Sequence, residues 1–198
     1  RYVSGEGSYI EHIGDHYYLF MSYGGLEPNG GYEMRVFRSS RPDGPYKDMN
    51  GTDAIFTNWK LNYGPNADTR GEKLLGAYNH WGFMNVGERA QGHNSVLAAE
   101  DGRTYLVYHT KFNDGTAEHQ VRVHQLFLNR SGWPVAAPFE FHGETTGDRQ
   151  IASPQRFDSK EVAGRYHVLT HPYGQNHAAY EEAAPTEILL REDGKVEG

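Results

Sequence analysis

The sequence predicts an all-β chain: part of a β-propeller over residues 1–132, its last blades, followed by a small β-domain over residues 133–198. Three observations carry this. Strand-forming segments come in groups of three, each group recurs at a constant offset of 87 residues, and no stretch carries a helical period. Recurring units of meandering antiparallel strands are what a propeller is built from. Composition agrees, with 24 glycines, 13% aromatic and 37% hydrophobic residues.

In chain order, the first group reads Ser8–Ile13, a Gly14-Asp15 turn, Tyr17–Tyr23 and Tyr32–Ser39. The second reads Ser95–Ala99, an Asp101-Gly102 turn, Thr104–Thr110 and Gln120–Leu128. Turns of Asp and Gly between apolar segments are strong hairpin signals, because both residues tolerate positive φ. At the offset of 87, Gly5 meets Gly92, Ser8 meets Ser95, Ile10 meets Leu97, Tyr18 meets Tyr105 and Leu19 meets Leu106. The same offset continues without a gap to Met34/Val121, Arg35/Arg122 and Val36/Val123. In "VRVHQLFL", Val121, Val123 and Gln125 share one face. Two blades cannot close a propeller, so the chain is expected to be the C-terminal portion of something longer; a β-sandwich is the alternative. From "NRSGWPVAAPFEFHGE" onward, Pro134 and Pro138 interrupt the pattern. The short strands in "GRYHVLTH", "PTEILLRE" and "KVEG" then suggest a separate β-domain, itself expected to be truncated at Gly198.

Several function classes are excluded at this level. A net charge of −7 with both signs interspersed is no nucleic-acid footprint. With no cysteine there is neither a disulfide framework nor a thiolate metal site. The longest apolar run, Tyr17–Met21, falls far short of the roughly 20 residues a spanning helix needs. Residue 1 is an arginine, so the N-terminus is expected to have been removed, and targeting information with it.

Glu6 stands between Gly5 and Gly7, immediately before a strand. Taken alone it reads as a solvated turn residue. The ungapped repeat sets it in the place that His93 holds in the next unit, just before the innermost strand where blades converge. Two ionisable residues at equivalent axial positions suggest a site. His109 in "VYHT" ends a strand and reads as packed, and His167 and His171 lie on a strand running into a proline, which reads as structural. Asp15, Asp43, Asp101, Asp114 and Asp193 read as turn formers. The aromatic-rich stretch between the units offers Trp59, Tyr78, Trp81 and Phe83 as sugar-stacking candidates against ordinary packing, and Ser22 and Tyr23 in "SYGG" end the strand that follows Glu6.

The segments "SGEGSYIEHIGDHYYLFMSYGGL", "GGYEMRVFRSSRPDGPYKD", "QGHNSVLAAEDGRTYLVYHT" and "LNRSGWPVAAPFEFHGE" together resemble the second half of glycoside hydrolase family 43 enzymes. The likeness is strongest to its endo-1,5-α-L-arabinanases with an extra C-terminal β-domain. The resemblance implies a five-bladed β-propeller and inverting hydrolysis of α-1,5-linked arabinofuranosyl bonds. It implies Glu6, in its Glu-Gly context, as general acid, and His93, in "GHNS", as a ligand of a central calcium. The family's general base and the Asp that tunes the acid match no position here, so the chain alone is expected to be inactive. Its partners would then be arabinan or arabino-oligosaccharides and the missing N-terminal half, with no nucleic acid and no membrane, in a secreted or periplasmic bacterial setting. A single imidazole is a poor calcium cage, since calcium prefers six to eight oxygens. The alternatives are a non-catalytic carbohydrate-binding propeller and an exo-acting α-L-arabinofuranosidase or β-xylosidase.

Overall fold

A computed structural model describes residues 5–55, 70–82, 84–100, 102–143, 157–171 and 184–198. Trp59 and Phe83 lie outside the described residues, as do Ser4 and Asp101. The described residues form strands, turns and bends, arranged in three antiparallel sheets. The first sheet is a meander of β1 (Glu6–Ile13), β2 (His16–Tyr23), β3 (Glu33–Ser39) and β4 (Glu72–Leu75). The second repeats it with β5 (Glu88–Ala98), β6 (Thr104–Phe112), β7 (Gln120–Leu128) and β8 (Pro134–Ala136). The third has β10 (Thr186–Leu190) between β9 (Gly164–Val168) and β11 (Val196–Glu197).

Each repeating unit therefore carries a fourth strand beyond the three expected. β4 is only "EKLL", too short for a period to show, and β8 opens on Pro134, which lacks an N–H and is tolerated at the start of an edge strand. Because β8 pairs with β7 through Leu128↔Pro134, the second sheet continues past residue 132.

The two four-stranded sheets pack face to face. Tyr18, Phe20, Met34 and Val36 of the first meet Val96, Leu106, Tyr108 and Leu126 of the second, closed by Trp133. Each such side chain, fully buried, contributes about 1.5–3 kcal/mol. The seam is also stitched by polar bonds: the Tyr9 hydroxyl donates to the Val96 carbonyl at 3.0 Å, and Arg38 donates to Ser131 while lying 4.5 Å over the Trp133 ring. On β7 the core side is the Leu126 face; on the alternating face Val121 is 65% exposed while Gln125 is buried. The opposite face of the first sheet buries Met21, Tyr23 and Phe37 with Ala54. A sheet that is apolar on both faces suits a propeller blade, which has a neighbour on each side.

Pairing registers correct the ungapped repeat. In the second and third strands the offset of 87 holds: Tyr18↔Arg38 corresponds to Tyr105↔Gln125. In the first strands it is 86, since Glu6↔Ser22 corresponds to Gly92↔His109. The extra residue sits in the hairpin, where the turn from Ala99 to Arg103 is one residue longer than that from Ile13 to His16. Glu6 is therefore the counterpart of Gly92, and His93 the counterpart of Gly7. Backbone geometry agrees: Gly7 has φ 58° and His93 φ 49°, both left-handed, at a bulge that each blade carries in the same place.

Candidate active site

Glu6 and His93 come together through this bulge. Each blade has one glycine and one bearing residue there, in opposite order, so the two interlock. A side chain added at Gly7 would lie 2.9 Å from His93 Cα, and one at Gly92 would lie 2.5 Å from the Tyr32 ring and 2.6 Å from Ser22 Oγ. Glycine is required at both positions by close approach, and at Gly7 by positive φ as well.

The carboxylate of Glu6 is 56% exposed. Its Oε1 accepts a hydrogen bond of 2.6 Å from the Tyr32 hydroxyl, and His93 Nδ1 stands 3.9 Å from the same oxygen. Tyr32 itself is buried, and its ring stacks on His109 with centroids 5.6 Å apart. His109 in turn meets His119 edge-on at 4.8 Å and His93 at 6.2 Å. Burial, reinforced by the neighbouring His119 and His93, pushes His109 down to about 4, so it is a neutral ring near pH 7. Its Nδ1 is buried with no hydrogen-bond partner among the described residues. Desolvation, with Lys111 and Arg89 nearby, also lowers His119. The outcome is an exposed carboxylate set over a layer of neutral aromatic and imidazole rings.

Sequence reasoning placed Glu6 and His93 together for a different reason, and it missed Tyr32 and His119. No local signal marks Tyr32: it lies 26 residues from Glu6, and only the β1–β2–β3 register brings it there. His109 is indeed a packed strand residue, but packed against Tyr32 at the edge of this cluster.

Ser22 is fully buried opposite Glu6, and its Oγ accepts the His93 backbone N–H at 2.7 Å. It braces the left-handed turn of the chain at His93. Tyr23 lies in the core on the far face of the first sheet. Tyr78 is buried, and desolvation beside Glu88 pushes its phenol far up. A ring that stacks on a sugar needs an open face, which Tyr78 does not offer in this chain. Trp81 is partly exposed and joins Tyr78 and Phe139, at centroid distances of 6.2 Å and 5.3 Å. Asp43, Asp114 and Asp193 are engaged locally, by Arg41, Thr116 and Lys195. His171 packs against Gly76 and is pushed down to about 4 by burial, with Lys73 beside it.

For the expected calcium, the donor set is thin. Among the described residues no three His, Asp or Glu side chains are grouped to hold a metal ion. Beside His93 the described residues supply a single carboxylate, Glu6, against the six to eight oxygens that calcium takes. These residues do not build a calcium cage on their own.

Comparison with known proteins matches the same residues. The profile of glycosyl hydrolases family 43 covers residues 1–134. An extracellular endo-α-(1→5)-L-arabinanase 2 of Bacillus subtilis (strain 168) is 41% identical over 179 residues, covering 84% of this chain and 35% of that protein. The extracellular endo-α-(1→5)-L-arabinanase of Thermotoga petrophila is 36% identical over 205 residues, covering 100% of this chain and 41% of the relative. Its crystal structure with TRIS superposes with a TM-score of 0.82 at 35% identity, over 99% of this chain and 42% of that one. A Cellvibrio cellulosa α-L-arabinanase complexed with arabinohexaose superposes with a TM-score of 0.54 at 27% identity, over 68% of this chain and 37% of that one. The chain thus spans between about a third and two fifths of the length of these relatives. No helix among the described residues is long and apolar enough to cross a membrane.

Proposed function

The chain belongs to glycosyl hydrolases family 43, and from that membership we propose that it forms part of an extracellular enzyme that hydrolyses α-1,5-linked L-arabinofuranosyl bonds with inversion, Glu6 being the general acid. One observation carries the reading: Glu6 is a half-exposed carboxylate held by Tyr32 at the start of β1, within the stretch covered by the family profile and by the similar Thermotoga endo-arabinanase. In an inverting glycosidase one carboxyl group protonates the departing oxygen while a carboxylate roughly 6.5–9.5 Å away activates water on the opposite face. Glu6 suits the first task. Its side chain reaches solvent. The base and the aspartate that tunes the acid are assigned to blades outside this chain, so these 198 residues alone are expected to hydrolyse nothing.

Linear arabinan is the favoured substrate, as the similar Thermotoga and Bacillus proteins are endo-arabinanases and the Cellvibrio structure holds arabinohexaose. Trp81, ringed by Tyr78 and Phe139, is the aromatic surface assigned to the polysaccharide. A central calcium would draw one protein ligand from this chain, His93, and complete its shell with oxygens from elsewhere. Residues beyond β8 are assigned to a small β-domain, built around the β9–β10–β11 sheet.

The test is to incubate linear arabinan with the full-length protein and follow new reducing ends by NMR. The reading expects the β-anomer to appear first and to mutarotate afterwards. An initial α-anomer would rule out inversion, and binding without any product would make this a carbohydrate-binding propeller.

A further inference from the structure

We infer that Tyr32 is a positioning residue for the acid: its hydroxyl assigns the transferable proton to Oε2 of Glu6 and stabilises the carboxylate left behind. The inference rests on the general-acid reading of Glu6 above and deepens it.

One carboxylate oxygen of Glu6 is engaged and, among the described residues, the other is open. Tyr32 donates to Oε1 at 2.6 Å, and His93 Nδ1 also lies on the Oε1 side, at 3.9 Å and beyond hydrogen-bond reach. An oxygen that accepts from a phenol is the carbonyl-like oxygen of a neutral carboxyl group, so the acidic hydrogen resides on the other one. Oε2 has no hydrogen-bond partner among the described residues and belongs to a side chain that is 56% exposed. The proton therefore sits on the oxygen that a substrate can approach.

The phenol is itself held from two sides. One face of the Tyr32 ring stacks on His109, and the ring edge closes over Gly92, where an added Cβ would come within 2.5 Å. With the ring fixed, the hydroxyl is aimed at Glu6. A neutral His109 beneath it adds no charge that would compete for the carboxylate.

Bond by bond, the proton leaves Oε2 for the glycosidic oxygen, which takes the electron pair of the breaking C–O bond. Water adds to the anomeric carbon and gives its proton to the base. Glu6 passes from neutral to anionic during this step, so the Tyr32 bond changes from neutral to charge-assisted and strengthens in the transition state. It should then act on kcat rather than KM.

The experiment uses the full-length protein carrying Tyr32→Phe, which keeps the ring and removes only the donor. Two substrates are compared: linear arabinan, whose poor leaving group needs the proton, and an aryl α-L-arabinofuranoside with a strongly acidic phenol, which does not. For Tyr32→Phe, kcat on arabinan is expected to fall roughly 10- to 100-fold with KM within about 2-fold, while the activated substrate loses less than about 3-fold. Gly92→Ala, which crowds the Tyr32 ring and the Ser22 hydroxyl together, should reproduce the selective loss more weakly. Equal losses on both substrates, or no loss on arabinan, would overturn the role of Tyr32. Glu6→Gln in parallel separates the two readings. If it retains arabinan hydrolysis, the acid assignment fails; if it alone shows the selective loss, only Tyr32 does.

Discussion

In the first blade the left-handed bulge residue is Gly7, at φ 58°, and in the second it is His93, at φ 49°. One position earlier the order is reversed, with Glu6 in the first blade and Gly92 in the second. The backbones repeat while the side chains alternate, so each blade's glycine makes room for side chains of its neighbour, Gly7 for His93 and Gly92 for Tyr32 and Ser22. The same contrast appears further out. Arg35 and Arg122 are equivalent, and each bonds the residue two before it on its strand, Glu33 in one blade and Gln120 in the other. Arg35 and Glu33 are almost fully buried and joined by Lys73 at 2.7 Å, whereas Arg122 is partly exposed and shared with Glu140 at 3.3 Å. The buried guanidinium shares one carboxylate with an ammonium, whereas the more exposed one is held by an amide and a carboxylate together. A propeller repeat thus dictates backbone and register, while chemistry and charge are placed where the blades depart from each other.

The largest effect should come from breaking the buried member of the second comparison. Glu33→Ala removes the carboxylate shared by the buried Arg35 and Lys73 and should cost about 3–5 kcal/mol in chemical denaturation. Gln120→Ala, at the exposed equivalent, should stay within about 0.5 kcal/mol. Similar losses in both would show that burial does not distinguish the blades.

A smaller effect is expected at the bulge. Gly7→Ala forces a side chain into positive φ and against His93, and should lower stability by about 1–3 kcal/mol. His93→Gly, which relieves a left-handed non-glycine residue, should remain within about 1 kcal/mol of the parent. If Gly7→Ala proved as harmless as His93→Gly, the two bulges would not be in the contact described.

How far the molecule could be read from its sequence follows from the same features. Strand groups, turns and the pairing of Tyr18 with Tyr105 were legible because apolar alternation and Asp-Gly turns are local signals. The one-residue insertion in the second hairpin was not, because chance identities such as Gly5/Gly92 and Ser8/Ser95 favoured an ungapped alignment. β4 and β8 escaped because four- and three-residue edge strands carry no period. Glu6 and His93 were singled out through their glycine contexts, whereas Tyr32 and His119 depend on strand register and loop path, to which local patterns are blind.

A pH dependence is also expected, in which His109 and His171 act alike. Both are pushed down to about 4 in the fold from an ordinary value of 6.5. Between those values the unfolded chain binds protons that the folded chain refuses. Stability should therefore be full above pH 6.5, fall as pH drops toward 4, and level off below. His109→Phe should flatten part of this slope in denaturation series at pH 7 and pH 5; an unchanged slope would remove His109 from the account.

The central claim is that Glu6, displayed by the first blade's bulge, delivers the proton. It is tested most directly by kcat/KM on linear arabinan for the full-length protein with Glu6→Gln, a substitution that keeps the shape and the Tyr32 contact but removes the acid. A fall of about 100-fold or more is predicted. Activity within a few-fold of the parent would contradict it.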